Sequence, residues 1–198
     1  GDEIPKIGVA YGGFDKIELS LKKLGVSEFT GPPTGFVQDH ALDDLSEASK
    51  YHIIFIPCSG QVVTDPGPTG TQCSGIYAPS GGSKSVMKDY IEQGGKLYVT
   101  DYSYEFVNQT WPGFITWKDK DGNDTNKNSA WGSACVGTAH DGAGTANDPG
   151  LSSWLGAIGD TSFTLQGSWT SISKVTPQPG TDVDGKPVTV TPKIWMTN

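Results

Sequence analysis

Two apolar runs organise the first half of the chain: residues 51–57, centred on Ile53-Ile54-Phe55-Ile56, and residues 96–101, centred on Leu97-Tyr98-Val99. They are continuous rather than alternating and carry β-branched side chains, which predicts strands covered on both faces of a parallel sheet. Residues 6–11 form a shorter run of the same kind, ended by Gly12-Gly13. Between these runs the period changes. Phe14, Ile17, Leu21 and Leu24 recur at helical spacing, with Gly25 where a helix C-cap belongs. Residues 28–30 predict a second short strand broken by Gly31-Pro32-Pro33, and residues 39–50 a short helix carrying Leu42 and Leu45. Ser83 is expected to cap a helix whose apolar face holds Met87, Tyr90 and Ile91 and which stops at Gly94-Gly95. Tyr104, Phe106, Val107 and Trp111 can line one more short helix.

The order β-α-β-α-β-α-β predicts an α/β fold: a flavodoxin-like, doubly wound parallel sheet flanked by helices, with right-handed crossovers. Beyond Phe114 the pattern weakens. Residues 114–117 are expected as a strand, and residues 118–148, almost all small and polar, as a long insertion with turns. Asp148 and Pro149 then open a short helix through Trp154 and Leu155. Residues 162–165, 171–175 and 187–195 predict strands, the last pair joined at Asp184-Gly185. The 198 residues are expected to form a single domain: a βα core over 5–118 and an insertion with an irregular, β-containing extension over 119–198.

Composition narrows the function classes. The net charge is −8, and all 14 basic residues are lysines, scattered along the chain. Nucleic acids and anionic membrane surfaces need clustered cations, so both are expected to be excluded as partners, and no stretch reaches transmembrane length. Glycine (27) and proline (13) are abundant, which predicts an ordered core with long turn-rich connections, above all over residues 58–82. The acidic, arginine-free chain, rich in small polar residues and starting abruptly at Gly1-Asp2-Glu3, suggests an exported bacterial protein whose leader was removed. Its place would be periplasmic, extracellular or lipid-anchored at the envelope. Of three cysteines, Cys73 and Cys135 lie in glycine-rich surroundings and are the favoured disulfide pair, leaving Cys58 as a packed thiol.

The stretches KIGVAYGGF, YHIIFIPCSG and YIEQGGKLYVTDYSYEFV resemble the class I glutamine amidotransferase-like superfamily, nearest its ThuA-like and secreted bacterial branches, over residues 5–118. The resemblance implies a helix, a Gly-Gly turn and a strand that ends at the sheet's carboxyl edge. In the catalytic members a nucleophilic cysteine stands there on a sharp elbow. At the matching point this chain reads Thr100-Asp101-Tyr102-Ser103-Tyr104, with no cysteine and no flanking glycine, so the elbow and its catalysis are expected to be lost.

Residue chemistry leaves several candidates. Cys58 follows a buried strand and precedes Ser59-Gly60, a turn whose amides could face an oxyanion. A base would have to come from His40, His52 or His140. Asp101 and Glu105 fall at the carboxyl edge, where a carboxylate pair can do acid–base work. As plain structure they would instead be a helix N-cap and a first-turn acid. Tyr102 and Tyr104 offer an aromatic wall for a ligand beside them. Asp119, Asp121 and Asp124 alternate around Gly122 as calcium ligands do, although Ala130 stands where an EF-hand has its glutamate, and an Asp-Gly turn explains them as well. Six tryptophans raise the prospect of sugar stacking. Trp131, in a polar stretch, is the best placed to be exposed, whereas Trp111 and Trp154 fall at apolar helical positions that suit a core. The expectation is a non-catalytic exported module that binds or scaffolds an unknown protein or glycan at the sheet's carboxyl edge. The alternatives are a hydrolase using Cys58 or the Asp101–Glu105 pair, and a carbohydrate-binding protein.

Overall fold

A computed structural model describes residues 5–10, 12, 14–31, 42–58, 81–118, 121–124 and 135–197. The described residues group into two compact units that part between Pro112 and Gly113.

The first unit is mixed α/β and is built on a three-stranded parallel sheet. Strands β1 (Ile7–Val9), β2 (Ile53–Ile56) and β3 (Lys96–Val99) lie in that order. Ile7 sits beside Ile53 and Ile53 beside Lys96. On the free side of β1, Thr30 forms a parallel bridge to Gly8, with Val9 N–H donating to Thr30 O at 2.8 Å. The second strand expected over 28–30 is therefore reduced to one bridge. Helices α1 (Ile17–Lys23), α2 (Leu45–Ala48), α3 (Gly81–Glu92) and α4 (Glu105–Thr110) complete the unit. The core forms where Ile54 and Ile56, on one sheet face, meet Ala48 of α2, Met87 and Tyr90 of α3 and Phe106 of α4. Each of these side chains is almost wholly removed from water, which stabilises by roughly 1.5–3 kcal/mol for a large apolar one.

Two expectations for helix ends change. Ser83 lies inside α3 rather than at its cap, and Phe14 precedes α1 and is 63% exposed. The α1 stripe therefore buries Leu21 but leaves Leu24 in water. Gly25 does follow α1 with φ at 83°, its N–H returning to Lys22 O at 3.0 Å. Gly95 is required for a different reason: a Cβ there would stand 2.3 Å from the Tyr90 ring. Tyr90 fills the space at the α3–β3 turn and donates its hydroxyl to Tyr51 O at 3.1 Å.

The second unit is antiparallel. The strand expected over 114–117 is β4 (Ile115–Trp117), and it pairs with β8 (Ile172–Val175). The stretch expected as an irregular insertion contains β5 (Cys135–Ala143) and β6 (Thr145–Ala146), paired with β7 (Thr164–Thr170) and β11 (Met196–Thr197). Asp184-Gly185 does turn a hairpin, but between β9 (Gln178–Thr181) and β10 (Pro187–Val190) rather than from residues 171–175. Helix α5 (Pro149–Ile158) starts as its sequence dictates: Asp148 Oδ1 accepts from Leu151 N–H at 2.8 Å, Pro149 takes the first position and Gly159 closes the end. Trp154 on α5 is 58% exposed, not core. Among the described residues no helix is long and apolar enough to cross a membrane.

Candidate functional site

The chain leaves β1, bridges at Thr30 on one side of it, and returns as β2 on the other. The connection therefore reverses direction at the carboxyl ends of β1 and β2. Such a reversal opens a crevice in an α/β sheet, and ligands of open sheets bind there. Each strand delivers one group to this edge: Phe14 and Asp15 after β1, Cys58 after β2, and Thr100, Asp101 and Tyr102 after β3.

Asp15 ties the edge together. Its Oδ2 accepts from Thr100 Oγ1 at 2.8 Å and from Cys58 N–H at 3.2 Å, so one carboxylate holds the ends of β2 and β3. In return, Cys58 O accepts from Phe14 N–H at 3.2 Å and from Asp15 N–H at 3.4 Å. Ser103 Oγ donates to Pro57 O at 2.6 Å and fixes the turn after β3 from beneath. The Phe14 and Tyr102 rings meet at the edge with centroids 6.1 Å apart and planes tilted by 53°.

Asp101 occupies the strained point. Among the described residues it is the one non-glycine with positive φ, at 37°, and it opens a 3-10 turn that leads into α4. Side chains at such angles cost about 1–3 kcal/mol and persist where the surroundings fix them. The chain therefore turns sharply at Asp101 on its way from β3 into α4. Thr100, not Asp101, takes the N-cap position of that turn.

The thiol of Cys58 is buried, and burial first of all pushes its pKa up, to about 11. The Asp101 and Asp15 carboxylates push in the same direction, against a hydrogen bond from Tyr102 N–H. A nucleophilic cysteine needs the opposite setting, a lowered pKa or a base at hand. Tyr102 is likewise pushed up, by burial and then by Asp101 and Cys58. His52 lies at the other end of β2, six extended residues or ~20 Å away, where its Nδ1 accepts from Lys6 N–H. His140 belongs to β5 of the second unit, opposite Ser168. His40 is outside the described residues.

Glu105 is not brought to the surface beside Asp101. It is fully buried in the first turn of α4, and Asn108 Nδ2 and Gln109 Nε2 donate to its Oε2 at 3.1 and 2.8 Å. Tyr104 is 2% exposed and packs inward, so of the two expected wall residues Tyr102 alone lines the edge. Asp124 is occupied by cations of the chain itself: Lys118 Nζ at 2.8 Å and Lys174 Nζ at 3.7 Å, with Ser173 Oγ donating at 2.6 Å. These contacts lower its pKa, the Lys118 hydrogen bond most. Asp121 is exposed, and no cluster of three or more His, Cys, Asp or Glu that could hold a metal ion occurs among the described residues. Asp119, Trp131 and Cys73 lie outside the described residues, and Cys135 is placed in β5 opposite Thr170.

Sequence reasoning missed Asp15, Thr100 and Phe14. The carboxyl-edge rule could have found Asp15, because it is the first carboxylate after the glycine pair that ends β1. Compared with family models, with curated proteins and with solved structures, the chain matches none.

Proposed function

We propose that the first unit is a non-catalytic binding domain that engages its ligand at the carboxyl edge of β1 and β2. It is a flavodoxin-like domain of amidotransferase-like descent, and the protein works outside the bacterial cytoplasm. The strand order Thr30-β1-β2-β3 and the turn at Asp101 support that descent. One observation carries the binding role over the hydrolase: the thiol at this edge is buried and held protonated, with its pKa at about 11. The Oδ2 of Asp15, a carboxylate at this edge, is engaged by the Cys58 backbone N–H and the Thr100 hydroxyl, a structural use rather than that of a base.

A carbohydrate is the second reading, favoured by the exposed Phe14 ring beside Tyr102 and by the nearby Asp101, an aromatic platform with an acceptor for hydroxyls. The deciding experiment is alkylation of the native chain at pH 6–8, mapped by mass, with a denatured control. Cys58 is expected to stay unlabelled until denaturation. Rapid native labelling of Cys58 near neutral pH would restore the hydrolase and overturn the binding module.

A further inference from the structure

The two faces of the parallel sheet are treated unequally. Ile54 and Ile56 lie under α2, α3 and α4, whereas the opposite face carries Ile7, Val9, Ile53, Phe55 and Tyr98, of which Val9, at the carboxyl end, is fully buried and the rest are not. There Ile53 and Phe55 are only half-buried, Tyr98 is 47% exposed, and the Phe55 and Tyr98 rings touch with centroids 5.2 Å apart. Parallel sheets ordinarily cover both faces, so apolar surface left in water here carries a standing cost. At the amino end of this face lies a groove of about 470 Å³, lined by Pro5, Ile7, His52, Ile53, Phe55 and Lys96. That volume lies in the range of small-molecule sites, which combine an apolar wall with a few convergent polar groups.

The polar groups here are donors and cations. His52 Nδ1 accepts Lys6 N–H at 2.8 Å, which leaves the proton of the neutral ring on Nε2. Lys6 and Lys96 are exposed, and among the described residues neither has a carboxylate within ion-pair distance. Lys50, nearby, is paired with Glu47, and Glu28 lines the adjoining groove of about 510 Å³. In a chain of net charge −8 this rim is, among the described residues, locally positive.

We propose that this groove binds a small amphiphilic anion from solution, its apolar body on Ile7, Ile53 and Phe55 and its acid group at Lys96 and His52. The charge of the whole chain argues for a small ligand over its rivals: two copies at −8 repel, and so does an anionic bilayer. The site lies at the opposite end of the strands from Asp15 and Cys58, and it stands independently of the function proposed for that edge.

The test uses the full chain and two fluorescent probes, 8-anilinonaphthalene-1-sulfonate and the uncharged N-phenyl-1-naphthylamine. The sulfonate is expected to saturate one site, to be displaced by dodecanoate, and to move the amide resonances of Ile53, Phe55 and Lys96. Lys96→Gln is expected to weaken the sulfonate about fivefold, the scale of one exposed charge pair, and to leave the neutral probe within twofold. Equal binding of the sulfonate to wild type and Lys96→Gln overturns the proposal. So does binding at several equivalents, or shifts in the wild-type spectrum that avoid β2. A chain that sediments as a dimer and takes the probe only on dilution makes a second copy the occupant. Binding confined to phosphatidylglycerol vesicles makes it a membrane.

Discussion

At the scale of single residues, the carboxyl edge trades stability for position. Asp101 is held at φ 37° without the glycine that such an angle favours. Replacing it by glycine removes the strain at some cost in chain entropy, so Asp101→Gly is expected to stabilise the first unit by about 1 kcal/mol. Urea denaturation measures this directly, and a lower midpoint would show that the carboxylate contributes more than the strain costs. The carboxylate that could be read from the sequence was Asp101, because it ends an obvious strand. The position of Asp15 could be reached by the carboxyl-edge rule, but its role could not, because that comes from Thr100 and Cys58, which are 85 and 43 residues away in the chain. Glu105 misled in the other direction: a polar letter near an active-edge motif suggested exposure, but Asn108 and Gln109 supply the donors that let it be buried.

At the scale of elements, burial decided what could be foreseen. The strands β1, β2 and β3 and the helices α1, α3 and α5 were legible because periodicity and glycine stops agreed, joined at α5 by the Asp148 cap. The β5 and β9 strands were not. The β5 sequence Cys135-Val136-Gly137-Thr138-Ala139-His140 has little apolar alternation, and β9 contains Pro179 and Gly180, which ordinarily mark loops. Both are held by backbone pairing, a property of the partner strand rather than of the letters. Glycine tests this view of the elements. Gly95→Ala drives a methyl into the Tyr90 ring and threatens its hydroxyl bond to Tyr51, and is expected to cost about 3 kcal/mol. Gly156→Ala, on α5 with nothing within 4 Å, is expected to gain up to about 1 kcal/mol. Thermal melts of the two variants should move in opposite directions, and parallel shifts would sink the packing account of Gly95.

At the scale of the whole molecule, the two units respond to pH in opposite senses. In the first unit Cys58, Tyr90 and Tyr102 all have raised pKa values, chiefly through burial. Each stays neutral in the folded state while its unfolded counterpart ionises, so stability falls as pH climbs from about 9 towards 11. In the second unit Asp124 and Asp148 are lowered, first by hydrogen bonds from Lys118 and Lys193 respectively. Their contribution is whole above the ordinary carboxylate value near 4 and is lost as pH falls through the depressed values. Asp44, capping the four-residue α2, is lowered as well, first by its hydrogen bond from Ser46, and gives the first unit an acid sensitivity of its own. Calorimetry is expected to resolve two transitions, the first unit melting earlier at pH 10 and the second earlier at pH 3. A single transition with the same order at both extremes would show that the units do not unfold separately.

The parallel pairing of β1 with β2 and of β2 with β3 joins residues more than forty positions apart, whereas β9 meets β10 across a five-residue turn. Chain closure of that length must be completed before a parallel ladder returns any free energy, so such sheets form in milliseconds to seconds, against about 1–10 μs for a hairpin. As the chain emerges from the ribosome, β1 and β2 both wait for their partners, and the sheet cannot close until Val99 has appeared. The hairpin of the second unit, made later, is therefore free to form almost at once, while the earlier-made sheet is still searching for its register.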